Sequence, residues 1–177
     1  FNFAYDIVDR LAAEQPDKTA IVWCNDLGEE KIISFAELKR MSDKMANALV
    51  GLGTGKGDVV TAMLQRRYEY WYFTIAIHKL GAILIPATHQ LSVKDLVYRI
   101  EAADVQMVLT LDEPEICAKL DEAQAKTGDM VKIKALLHGQ REGYVDFGAV
   151  VEAASESFAR PTGDAAPKST DVMIAYF

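Results

Sequence analysis

Two short polar stretches hold the residues best suited to meet a ligand: Ala87-Thr88-His89-Gln90 and Gln65-Arg66-Arg67. Each directly follows a strand-like run, Ala82 to Pro86 for the first and Asp58 to Leu64 for the second. His89 offers an imidazole for proton transfer or ligand contact. Gln90 offers a neutral amide that both donates and accepts hydrogen bonds. Arg66-Arg67 suits an anion site, or a solvated face and an ion pair. His78 falls inside an apolar helical run and reads as structural, while His138 precedes Gly139 in a loop. No two histidines stand at ligand spacing, so no metal site is expected, and no catalytic residue can be named. Cys24 and Cys117 fit neither a metal pattern nor a redox pair and read as reduced core thiols. The run Gly51-Leu52-Gly53-Thr54-Gly55-Lys56-Gly57 superficially resembles a phosphate loop. Its spacing is wrong, no Ser or Thr follows the lysine, and it joins a helix to a strand rather than the reverse; it reads as a turn.

The elements that must position these residues alternate steadily. Phe3 to Glu14 carries a helical stripe at Phe3, Ile7, Val8 and Leu11, ended by Pro16-Asp17. Thr19 to Cys24 and Lys31 to Phe35 flank turn residues Asn25 to Gly28 and read as an antiparallel hairpin. Ser34 with Glu37 three residues on predicts a capping box opening a helix with the stripe Leu38, Met41, Met45, Ala48, Leu49 and Leu52. Further helices are predicted over Tyr68 to Leu80, Ser92 to Ala103, Pro114 to Thr127 and Phe147 to Phe158. Further strands are predicted over Gln106 to Leu111, Val131 to Leu137 and Val172 to Phe177, with a loop over Arg160 to Thr170. Such alternation predicts an α/β fold: a mostly parallel, helix-covered sheet with an N-terminal β-hairpin. Ligands of such sheets lie beyond the carboxyl ends of the strands, which singles out the two polar stretches and whatever follows Phe177.

Composition narrows the class. The chain has 177 residues and a net charge of −7, half of its residues are apolar, and no basic run is longer than two residues, as at Arg66-Arg67, so no nucleic-acid partner is expected. No run reaches the ~18 apolar residues of a membrane span. No signal peptide opens the chain, and a cytoplasmic protein is expected. The chain begins at Phe1 and stops inside an apolar run, so both ends read as trimmed.

Three segments in this order resemble the adenylate-forming superfamily of acyl-CoA synthetases, luciferases and peptide-synthetase adenylation domains. Ile33-Ser34-Phe35-Ala36-Glu37-Leu38 resembles its first core motif, and Lys79-Leu80-Gly81-Ala82-Ile83-Leu84-Ile85-Pro86 its second. Val172-Met173-Ile174-Ala175-Tyr176-Phe177 resembles the strand entering the third, the Ser/Thr/Gly-rich loop that wraps the ATP phosphates. Within the superfamily, Lys56-Gly57-Asp58-Val59-Val60, Arg67-Tyr68-Glu69-Tyr70-Trp71, Ile85-Pro86-Ala87-Thr88-His89-Gln90-Leu91 and Lys94-Asp95-Leu96-Val97-Tyr98-Arg99 resemble the medium-chain, butyrate-type AMP-forming acyl-CoA synthetases; Ala87 in place of a glycine and His89 at the variable position depart from that pattern.

The resemblance implies that residues 1–177 form the first part of the large N-terminal AMP-binding domain, ending before the phosphate loop. It implies ATP-dependent activation of a short- or medium-chain carboxylic acid to acyl-AMP and transfer to CoA, with magnesium shielding phosphate charge. The 177 residues alone are expected to be inactive. Gln90 matches the family glutamine beside the CoA pantetheine path, the one ligand-binding position implied here. Two rivals remain open: an aryl-CoA ligase or carrier-protein-loading adenylation domain, and a non-catalytic α/β binding module. A sheet ending at Phe177 is also expected to expose apolar surface and self-associate.

Overall fold

β-Branched residues dominate Thr19–Cys24, which forms β1 and pairs antiparallel with β2 (Glu30–Ser34) in the computed structural model, which describes residues 1–177. The connecting turn is held by Asn25, whose Oδ1 accepts from the Leu27 and Glu29 amides, both at 3.0 Å. The chain divides into two units, one of Phe1–Lys56, Arg66–Gly81 and Ala154–Asp171, the other of Gly57–Gln65, Ala82–Ala153 and Val172–Phe177.

The first unit holds the hairpin and the helical segments between Ala4 and Leu80. A π-helical stretch, Ala4–Asp9, runs into α1 (Arg10–Glu14). α2 (Phe35–Gly51) buries Leu38, Met45, Ala48 and Leu49 of the predicted stripe, and α3 (Glu69–Leu80) is almost wholly buried. Gly81 ends α3 with φ 73°, a left-handed cap that favours glycine. Ser34 caps α2 by accepting from the Glu37 amide at 3.2 Å, a contact worth about 1 kcal/mol. The predicted capping box is only half formed. Glu37 turns away to accept from Tyr72 Oη at 2.7 Å and to pair with Lys31 Nζ at 3.0 Å, the latter a charged partner stronger than a neutral main-chain amide.

The second unit is a five-stranded, all-parallel sheet in the order β4-β3-β5-β6-β7. Its strands are β3 (Val59–Met63), β4 (Ile83–Pro86), β5 (Val105–Thr110), β6 (Ile133–Leu136) and β7 (Val145–Asp146). Their continuous apolar runs reflect burial on both faces: every residue of β3 is buried. α4 (Val93–Ala103) and α5 (Pro114–Thr127) supply Leu96, Ile100, Ile116 and Leu120 to a core shared with Val59, Met63, Ile85 and Val108. Ser92 and Asp95 form the complete capping box that α2 lacks.

Four expectations need adjusting. β7 was not anticipated, because two paired residues leave no periodic signal. The last helix, α6 (Phe147–Ala153), stops at Ala153 rather than continuing to Phe158. The predicted last strand is reduced to a single parallel bridge, Ile174 to Leu84, with Leu84 N donating to Met173 O at 3.1 Å and Ala175 N to Leu84 O at 2.9 Å. Cys24 is also exposed rather than in the core, because it sits on the outward face of the hairpin; Cys117 is buried and both are free.

Candidate functional site

β3 opens the parallel sheet, β4 adds on one side and β5 on the other. The chain direction therefore switches between β3 and β5, and ligand positions of such sheets lie at the carboxyl rim around that point. From one side of the rim to the other, the loops are the end of the 172–177 segment, Ala87–Gln90 after β4, Leu64-Gln65 after β3, Leu111–Glu113 after β5 and Leu137–Gly139 after β6.

Gln90 and Thr88 are exposed on this rim, and His89 is half-buried. The Gln90 amide nitrogen of the main chain donates to Thr88 Oγ1 at 3.2 Å, which fixes the turn. Leu91, buried behind it, and the Ser92 cap of α4 anchor the far side of the turn. His89 lies close enough to Glu115 to help hold that carboxyl below its ordinary range, after the larger effect of Lys119 at 2.8 Å. At the switch point itself, Gln65 adopts φ 52°, unusual for a residue with a side chain, and its Nε2 donates to Glu113 Oε1 at 2.6 Å. Next to it, Asp112 accepts twice from Arg141, at 2.8 and 3.0 Å. The chain end is held by α4: Phe177 meets Tyr98 edge-on at 5.9 Å, and the Arg99 guanidinium stands 5.5 Å from its ring centre.

The two arginines singled out from the sequence bind no common point. Arg66 is almost fully exposed and faces Asp26 at 3.6 Å, and Arg67 pairs with Glu69 at 3.5 Å, so they are ion-pair residues rather than an anion cradle. His78 is structural, as expected. Its ring is buried with neither nitrogen hydrogen-bonded, and burial lowers its pKa to about 4. The Cys117 thiol is pushed up by burial, which suits a core residue and not a nucleophile. No group of three or more His, Cys, Asp or Glu could hold a metal ion.

Sequence reasoning missed a buried charge cluster in the first unit. Lys79 and Asp43 are both fully buried and directly paired. Lys79 also donates to Asp9 at 2.7 Å, Asp43 also accepts from Lys39, and Tyr5 donates to the Lys79 carbonyl at 3.0 Å. Burial raises the Asp9 carboxyl despite Lys79. Asp43 falls on the face of α2 opposite the predicted stripe, where a charge reads as solvent-facing, so the available signal was the lysine that opens the second motif.

A five-stranded parallel sheet of this kind, preceded in the chain by a hairpin and a long capped helix, defines an α/β fold that presents its ligand positions at the carboxyl rim. The family model described as AMP-binding enzyme matches residues 8–176, and the chain belongs to that family. Among curated proteins it is similar to the human mitochondrial acyl-coenzyme A synthetase ACSM5, 33% identical over 184 residues that cover 100% of this chain and 31% of the relative. It is also similar to the rat mitochondrial acyl-coenzyme A synthetase ACSM2, 34% identical over 162 residues, 88% of this chain and 28% of the relative. The chain thus spans less than a third of these relatives' length. An acyl-CoA synthetase from Brucella canis shares the fold with a TM-score of 0.85 at 23% identity, over 99% of this chain and 31% of that one. So does the anthranilate CoA ligase AuaEII, solved with anthranoyl-AMP, with a TM-score of 0.78 at 21% identity, over 91% of this chain and 30% of that one.

These relatives correct one expectation. The matched human and rat synthetases are mitochondrial, which overturns the cytoplasmic placement. That placement rested on reduced thiols and on the absence of a leader in these residues, and neither distinguishes one reducing compartment from another.

Proposed function

We propose that the parent protein is an AMP-forming acyl-CoA synthetase acting on a short- or medium-chain carboxylic acid, and that residues 1–177 are the first part of its N-terminal domain, ahead of the phosphate loop. One carboxylate oxygen attacks the α-phosphorus of ATP, and the bond to the bridging oxygen breaks to release pyrophosphate. The thiolate of CoA then attacks the acyl carbon and displaces AMP. The observation that carries this reading is the family match over residues 8–176, taken with acyl-coenzyme A synthetases at 33% and 34% identity. The aryl-CoA ligase and carrier-protein alternatives have no comparable support: the anthranilate ligase shares the fold at 21% identity.

Within these residues the chain supplies scaffold and one CoA contact. Gln90 is exposed on the carboxyl rim, and a carboxamide there both donates and accepts, which fits pairing with the amides of pantetheine. Magnesium would shield the ATP phosphates. Nothing in these residues is assigned to it, since they form no metal-binding group. The exposed Val172, Met173, Tyr176 and Phe177 support self-association of the 177-residue polypeptide when prepared alone, which light scattering at rising concentration would register.

The test is acid-dependent exchange of labelled pyrophosphate into ATP by the full-length parent protein. Exchange that requires butyrate or a medium-chain acid supports the reading. Exchange driven by aromatic acids alone, or thioester formed on a carrier protein but not on free CoA, moves it to an alternative. No exchange with any carboxylate removes it.

A further inference from the structure

We propose that Lys56 is a positioning residue for the ATP-dependent half of the reaction, fixing the irregular segment that delivers the chain to the phosphate loop. The inference rests on the functional reading above and assigns a role to a lysine whose neighbouring glycines proved to be only a turn.

The segment Ala154–Asp171 has no regular structure beyond one short 3-10 turn, Gly163–Ala165. Side chains must therefore hold what backbone ladders do not. Its first part is tied to α2, where Asn47 Nδ2 donates to the carbonyls of Ser155 and Ser157 at 2.9 and 3.0 Å and Arg40 pairs with Glu156 at 2.9 Å. Its middle is tied by Arg160, which pairs with Asp6 at 2.7 Å and lies 4.8 Å from the Tyr5 ring centre. Its last part depends on Lys56. The ammonium reaches the Ala166 carbonyl at 2.8 Å, the Asp171 carboxylate at 3.0 Å and the Asp164 carbonyl at 3.4 Å. An ammonium has three donors, and here three acceptors from one eight-residue stretch meet them. Asp171 in turn accepts from the Lys168 amide at 2.7 Å, closing the turn immediately before Val172. That amide first, and Lys56 second, hold the Asp171 carboxyl below its ordinary range.

The stem of Lys56 is fixed as well. A Cβ added at Gly81 would lie 3.3 Å from Lys56 Cγ and 3.2 Å from the Pro167 ring. The glycine of the second core motif thus lets lysine stem and proline approach the end of α3. Lys56 is therefore a single cation, three-quarters buried, that sets where the chain stands one residue before the segment resembling the entry to the third motif.

The test uses the full-length parent protein with Lys56→Met, which keeps the stem and removes the ammonium, and Asp171→Asn, which removes only the ion pair. Two half-reactions are measured: pyrophosphate exchange as a function of ATP, and thioester formation from supplied acyl-AMP and CoA. The expected result is a KM for ATP raised roughly tenfold or more by Lys56→Met and less by Asp171→Asn, with the second half-reaction unchanged. A surface ion pair of no consequence would leave the KM for ATP unaltered in both variants, and a general structural role would make folded variants lose both half-reactions together; either result overturns the proposal. If Lys56→Met does not fold, Asp171→Asn alone decides by the same comparison. Absence of exchange in the unaltered protein instead strikes the functional reading itself.

Discussion

Replacing Lys79 by methionine removes the ammonium at the centre of the buried cluster while nearly preserving side-chain length. Lys79 and Asp43 are both fully buried, and Asp9 is mostly so. The substitution leaves the Asp43 carboxylate with Lys39 as its remaining cation and Asp9 with none at hydrogen-bond distance. Removing one partner of a buried pair typically costs about 3–5 kcal/mol, mostly as the penalty of the charge left behind. The upper half of that range applies here, because one ammonium serves two carboxylates. A companion variant, Lys79→Met with Asp43→Leu, removes the stranded charge and should recover a large part of the loss, as replacing a whole buried pair by apolar groups often costs little. The assay is urea unfolding followed by tryptophan fluorescence; Trp23, edge-on to Tyr68 at 5.3 Å, reports from the same unit. A cost below ~1 kcal/mol for Lys79→Met, or a double variant worse than the single one by the full effect of Asp43→Leu, would refute the claim that this cluster is a coupled, desolvated unit.

His78 titrates well below an ordinary histidine, so the unfolded chain binds more protons than the folded one between pH 6.5 and about 4. Stability should be intact above pH 6.5 and fall by about 3 kcal/mol as pH drops through that window, and His78→Leu should flatten this limb of a pH-dependent denaturation series. Gly81→Ala should destabilise more than Gly53→Ala. Both glycines have positive φ, but only at Gly81 does the new methyl meet Pro167 at 3.2 Å; the shared backbone penalty is about 1 kcal/mol and thermal melting measures the excess. Gln90→Ala in the full-length parent should raise the KM for CoA several-fold without changing the KM for ATP, and steady-state kinetics with each substrate varied separately would contradict the assignment if ATP were affected instead.

Much of the frame was legible because local signals coincide with tertiary need. Ser92 and Pro114 mark helix starts, Gly81 marks a helix end, and the uninterrupted apolar runs of β3 and β5 require burial on both faces. Strand order was not legible, since it depends on which faces meet rather than on any one segment. The Lys79–Asp43–Asp9 cluster was hidden for a similar reason: its members lie 36 and 70 residues apart, and Asp43, on the face of α2 away from the apolar stripe, reads as solvent-facing until its partner is seen. Glu37 carried the pattern of a capping box, but Tyr72 and Lys31, distant in sequence, drew it elsewhere. The hydrogen bonds from these two residues outweigh burial and keep its carboxyl below the ordinary range. At the rim, the positions after β3 and β4 followed from strand order in the chain alone. The left-handed Gln65 and its bond to Glu113 did not, because nothing in a glutamine announces a positive φ. Gln90 takes its role from the family resemblance, as an exposed amide carries no local sign of what it binds.

The central claim is that the parent protein activates a carboxylate through an acyl-adenylate. Supplying butyrate with heavy oxygen in its carboxylate, together with ATP and CoA, tests it most directly. The account predicts one heavy oxygen in the released AMP and none in pyrophosphate or inorganic phosphate; heavy oxygen in inorganic phosphate, or thioester formed with none in AMP, would contradict it.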